Sequence, residues 1–176
     1  MATKLLQIAR KVVDGLIWFS VGLAALGLIF EVIVIVIDVM GRAAGRPLYG
    51  SLDLITMGFV IIVFGAMSLC DRRGGHVSVD LFEPFLPQIL NRSINAFSAF
   101  LGAVIFFALA WAVYDSSRIS IMLNLSTNLL ELPKAWFQYL LCFFAVTTGL
   151  AMLLRSVEIS VMNVDVRHQG EDVDHV

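Results

Sequence analysis

Glu31, Asp38 and Arg42 are separated by seven and four residues, a spacing that places them along one stripe of a helix. Their chemistry would be that of a carboxylate binding or passing a cation, with a second carboxylate and a guanidinium above it. If the helix enters the hydrocarbon near Leu16, a rise of about 1.5 Å per residue carries Glu31 about 22 Å in, inside a core of about 30 Å. A carboxylate at that depth is costly and must face protein or water, with a partner. Three readings stand: an interfacial residue of a tilted helix, a helix-packing contact, or an ion-coupling site. Packing is favoured over coupling, because no second helix offers an obvious intramembrane ion ligand.

A second concentration of polar residues is "CDRRGGHVSVDLFEPFLP", from Cys70 to Pro87. Here His76 could ligate a metal or a haem, but such a site needs further ligands. His168 and His175 sit in a polar tail, so neither a metal nor a cofactor is expected, and a structural hydrogen bond is the default for His76. Cys70 and Cys142 are isolated and form no Cys-x-x-Cys pair, which leaves thiol chemistry little support; they read as packing residues. The net charge of −2 and a pI near 5.8 provide no field for nucleic acid.

The elements that must position these residues are apolar. A hydrophobic fraction of 59% and a mean hydropathy of +0.89 lie outside the soluble range. Four segments, roughly Val12 to Ile37, Leu52 to Cys70, Ile94 to Tyr114 and Ala135 to Leu154, approach or exceed the ~20 residues that span the bilayer core. Strands of a membrane barrel alternate apolar and polar, whereas these segments are apolar all round. The expected fold is therefore an all-α membrane protein of four transmembrane helices. The first segment is too long for a cleaved signal peptide, contains Glu31, and lacks a well-placed small-residue cleavage site, so it reads as a retained span.

Orientation follows from the basic residues. With the amino terminus inside, eight of the twelve face the cytoplasm, namely Lys4, Arg10, Lys11, Arg72, Arg73, Arg92, Arg155 and Arg167. Both termini are thus expected to be cytoplasmic. Trp111 and Tyr114 close the third span, and Trp136 and Tyr139 open the fourth, which puts all four in one interfacial belt. In a Gram-negative host that belt is periplasmic.

The connections carry further expectations. Leu5, Leu6, Ile8 and Ala9, interleaved with Lys4, Gln7 and Arg10, suit a short helix lying at the inner interface. The loop "GRAAGRPLYGS" breaks the first span, and Ser51 caps the second with Asp53 in its first turn, so capping alone explains Asp53. Gly74 and Gly75 end the second span, and Arg72 and Arg73 follow the positive-inside rule. From Asp80 to about Asn91, Phe82, Phe85, Leu86, Ile89 and Leu90 share one face, with Asp80, Glu83, Pro87 and Asn91 on another. This predicts an inner amphipathic helix on the membrane surface. Its acidic polar face suits a protein neighbour or the underside of the bundle better than anionic lipid.

Small residues at close-packing spacing occur in three spans: Gly58 with Gly65, Ser98 with Gly102 and Ala99 with Ala103, and Ala145 with Gly149. The long outer connection "DSSRISIMLNLSTNLLELPKAW" holds so much apolar surface that it is expected to rest on lipid, on its own bundle or on a partner. Residues 1–162 read as the transmembrane domain and 163–176 as a polar, disordered cytoplasmic tail.

Arg42 closing the first span, Asp53 opening the second, "RRGGHVSVDLFEPFLP" and the "STNLLELPKAW" approach to the fourth together resemble a known family. They are similar to the small membrane (Q) subunit of tripartite ATP-independent periplasmic (TRAP) transporters, over nearly the whole chain to about Ser160. Asp53 stands where a glutamate is commoner. The resemblance implies a non-catalytic subunit in the bacterial inner membrane, with no cofactor. In such a system a large membrane subunit carries the substrate and sodium sites, a soluble periplasmic protein captures the substrate, usually an organic acid, and the small subunit supports and docks to both. Membrane lipid is its remaining neighbour. Two other readings are weighed against it. A self-assembling small multidrug exporter would use Glu31, but the inner amphipathic helix and long outer loop argue against it. A four-helix membrane thiol oxidoreductase would need paired cysteines.

Overall fold

A computed structural model of the chain describes residues 2–72 and 88–162. The described chain is helical: α1 (Ala2–Ala43), α2 (Ser51–Arg72), α3 (Gln88–Met122) and α4 (Lys134–Met162). Each is long and apolar enough to cross a membrane, where only an element that satisfies its own backbone hydrogen bonds can stand in lipid.

Two of the helices outrun the apolar segments that announce them. α1 has 42 residues, about 63 Å at 1.5 Å per residue and twice the thickness of a bilayer core. The stretch around Leu5 and Leu6 is therefore not a separate interfacial helix but the first turns of α1. Its continuity has a simple cause, since the first proline is Pro47 and the glycines before it lack the additional breakers that would stop a helix. α3 likewise runs on through "DSSRISIM" to Met122, a stretch expected to be loop. No glycine or proline lies between Gly102 and Pro133, so the helix ends only where Asn124 turns left-handed at φ 48°.

Packing fixes the order of the helices. α1 lies against α2 and α4, α2 also touches α4, and α3 packs on α4. One buried cluster, Val13, Ile17 and Ala151, joins α1 to α4 with Val21, Leu69 and Leu154 around it. Another, Phe106, Ala110 and Ala145, joins α3 to α4. Gly65 of α2 sits where three helices meet: a Cβ there would lie 3.0 Å from Ala24 Cβ, 3.1 Å from the Ser20 carbonyl and 3.3 Å from the Phe144 ring. Hydrogen in place of a methyl group is what lets α1, α2 and α4 approach. Gly102 faces Met152 and Gly149 faces Phe107 in the same manner between α3 and α4, and Ala99, Ala103 and Ala145 are buried, whereas Ser98 is exposed.

Of the expected inner amphipathic helix, only the Gln88–Asn91 end is described, as the first turn of α3. Arg73, His76, Asp80, Phe82, Phe85 and Leu86, with the tail from Asn163, lie outside the described residues. Arg72 is the last residue of α2.

Candidate functional site

The polar side chains gather at two levels. At the end of the bundle holding the α1–α2 and α3–α4 connections, Asp38 is buried and accepts from Arg42 Nε at 2.9 Å and Nη2 at 2.7 Å. Its other oxygen accepts from the Leu48 amide at 3.1 Å. One carboxylate thus binds the last turn of α1 to the chain that leaves it. The spacing of four residues anticipates the ion pair; nothing in it anticipates Leu48.

Asp53, in the first turn of α2, has a longer reach than capping requires. Its Oδ2 accepts from the amides of Leu129 at 2.8 Å and Leu130 at 3.1 Å, in the connection between α3 and α4. A carboxylate holding two backbone amides is a charge-assisted clamp. The clamped segment is itself folded: Thr127 N donates to Leu132 O at 2.9 Å, Leu132 N to Thr127 Oγ1 at 3.1 Å, and Lys134 N to Leu125 O at 3.1 Å, with a bridge between Ser126 and Pro133. Leu130 then covers Gly50, whose φ of 77° and missing Cβ together make room for that side chain. Part of the apolar α3–α4 connection therefore rests on its own bundle.

Glu31 stands apart from this clamp, two turns down α1 from Asp38. The residue is 8% exposed, packed between α1 and α2 against Gly58, where an added Cβ would come within 3.2 Å of Oε2. That oxygen has no hydrogen-bond partner among the described residues. The structure does not join Glu31 to the Asp38–Arg42 pair.

At the opposite end lies a pair that spacing in the sequence does not reveal. Asp71, 3% exposed, accepts from Arg155 Nη1 at 3.0 Å, tying α2 to α4. Arg10 and Glu158 approach to 3.9 Å and link α1 to α4 at that end too. These residues lie up to 148 positions apart, and only the fold brings them together.

Of the four belt aromatics, the Tyr114 and Tyr139 rings meet with centroids 6.4 Å apart, while Trp111 and Trp136 are exposed. Cys70 and Cys142 are both free thiols, and the Cys142 thiol donates to the Ala110 carbonyl at 3.5 Å across the α3–α4 contact, a packing role.

The family model of the DctQ component of tripartite ATP-independent periplasmic transporters matches residues 31–161. The chain belongs to this family. No curated protein and no solved structure matches it. The matched region begins at Glu31 and takes in the Asp38–Arg42 pair, the Asp53 clamp and the Asp71–Arg155 pair. A DctQ component is a membrane component of a transporter, and the polar residues found here tie helices and connections together.

Proposed function

We propose that the chain is the non-catalytic small membrane subunit of a TRAP-type secondary transporter. It supports the large membrane subunit and helps to dock the periplasmic substrate-binding protein during cation-driven uptake of organic acids. Both termini are cytoplasmic in this reading, and the Asp53 clamp faces the periplasm of a bacterial inner membrane. The inner connection, with Arg72, Arg73, His76 and the amphipathic segment carrying Asp80, Phe82, Phe85 and Leu86, is architectural.

One observation carries the reading: three carboxylates, Asp38, Asp53 and Asp71, serve as ties between segments, while the buried Glu31 has no such tie among the described residues. Asp38 holds Arg42 and Leu48, Asp53 holds Leu129 and Leu130, and Asp71 holds Arg155. A carrier would instead direct such groups at a shared cavity near the middle of the membrane. Outward-facing apolar side chains on α1, such as Phe30 and Ile33, are available to lipid and to the large subunit.

The test is to tag this chain in its native host, solubilise the membranes gently and identify what co-purifies. A much larger hydrophobic protein in a fixed ratio is the expected outcome; recovery of homo-oligomers alone would favour the small exporter.

A further inference from the structure

Beside the clamped connection, at the level of the aromatic belt, the surface is hollowed into a cavity of about 280 Å³. Its polar lining is Ser120, Asn124, Ser126 and Glu131, and its aromatic lining is Trp136 and Tyr139. Three features mark it as built. Glu131 holds a left-handed backbone at φ 52°, a conformation a long side chain adopts at a cost and that persists only where the surroundings impose it. The loop's hydrogen bonds and the Asp53 clamp impose it here. The Glu131 carboxylate also has no hydrogen bond or ion pair among the described residues. Finally, Trp136 is 77% exposed beside it, so an aromatic face and an unneutralised carboxylate share one concave wall.

We propose that this hollow binds the head group of a phospholipid bearing a primary ammonium, with the ammonium at Glu131 and the aromatic rings and the phosphate oxygens within reach of Ser120 and Asn124. A carboxylate with aromatic faces selects a cation, and it repels the organic acids that the transporter is proposed to carry. A divalent metal would want several oxygen ligands where the hollow offers one charged group. The choice of a lipid over a protein side chain comes from position. Trp136 and Tyr139 stand in the interfacial belt, where head groups lie, and the same wall continues through Ile121 and Leu125, apolar side chains suited to the glycerol and upper acyl carbons. Ser120 and Asn124 have no side-chain hydrogen bond among the described residues and remain able to donate to phosphate.

The experiment uses the full chain, alone and as the complex purified with its large subunit. Trp18→Phe and Trp111→Phe, both at exposed positions, leave Trp136 as this chain's reporter, and environment-sensitive labelling of the large subunit is avoided by reading the change against a Trp136→Phe control. Dihexanoyl phosphatidylethanolamine is titrated against dihexanoyl phosphatidylglycerol in detergent. A saturable emission change with the ethanolamine lipid is expected, at a concentration at least about tenfold below that for the glycerol lipid, as one good charge-assisted contact implies. Glu131→Gln should erase the difference. Glu131→Asn should erase it as well while keeping or raising the melting temperature, because asparagine tolerates the left-handed backbone. Equal responses to the two lipids, or a preference that survives both substitutions, would overturn the proposal. Loss of the response whenever the large subunit is bound would also overturn it, by making the hollow a protein contact.

Discussion

Glu31 and Asp53 are both carboxylates on membrane helices, yet their surroundings give them different work. Glu31 is closed in between α1 and α2, with one oxygen lacking a partner, so the charge itself costs more than it returns. Glu31→Gln keeps the shape and removes that cost. It is expected to change the stability of the subunit by no more than about 1 kcal/mol and to weaken assembly only modestly. The check is the yield of complex beside the sodium dependence of uptake: normal assembly with coupling abolished would make Glu31 an ion site. Asp53 does the opposite, because its charge is the anchor for Leu129 and Leu130. Asp53→Ala should release the connection between α3 and α4 and leave the helices in place. Hydrogen exchange would then speed up at the amides of residues 129 and 130 and stay unchanged in α1. Uniform exchange across the chain in this variant would mean that the clamp holds the whole fold rather than one loop.

Between elements, the pair that matters most is Asp71 with Arg155, which ties α2 to α4 with the carboxylate almost fully buried. Removing one partner leaves the other charge buried and costs about 3–5 kcal/mol, whereas replacing both with apolar residues of similar volume is close to neutral. Asp71→Leu alone and Arg155→Met alone should therefore each unfold at markedly lower denaturant than wild type, and the double variant should recover most of the loss. Additive losses would show that the two do not act as a pair. This pair also marks the limit of what could be read in the chain. The four spans are written in composition, since twenty apolar residues in lipid have little choice but a helix. The Asp38–Arg42 pair follows from a spacing of four, and the glycine spacings from close packing. Asp71 and Arg155 lie 84 positions apart with no periodicity to connect them. Asp53 had a sufficient local explanation at a helix start, which concealed its partners 76 and 77 residues away. The end of α3 was hidden for a related reason: its polar turns resemble loop in composition, and only the lack of a proline or glycine shows that the helix continues. The first turns of α1 read as a helix of their own, and the lack of a proline is what makes them continuous with the span.

At the scale of the molecule, α4 is the organiser, since α1, α2 and α3 all pack on it. α3 has its main contact with α4, the α1–α2 pair adds its own, and polar ties stand at both ends of the bundle. In the proposed role as a support, such a body holds other proteins in place rather than moving a solute. Alternating access requires two halves that rock about a site between them, and here the Asp71–Arg155 pair and the Asp53 clamp each join segments that would have to separate. Reconstituted alone in liposomes, the chain is accordingly expected to give no uptake above empty vesicles for any organic acid, with or without a sodium gradient. Uptake should appear when the large subunit and the periplasmic binding protein are supplied together with the gradient. The decisive comparison is between the complete system and the same system lacking only this chain. Loss of transport together with loss of the large subunit's thermal stability would fit a support, while sustained, gradient-driven accumulation by this chain alone would require a solute path through the bundle and return Glu31 to the centre of the mechanism.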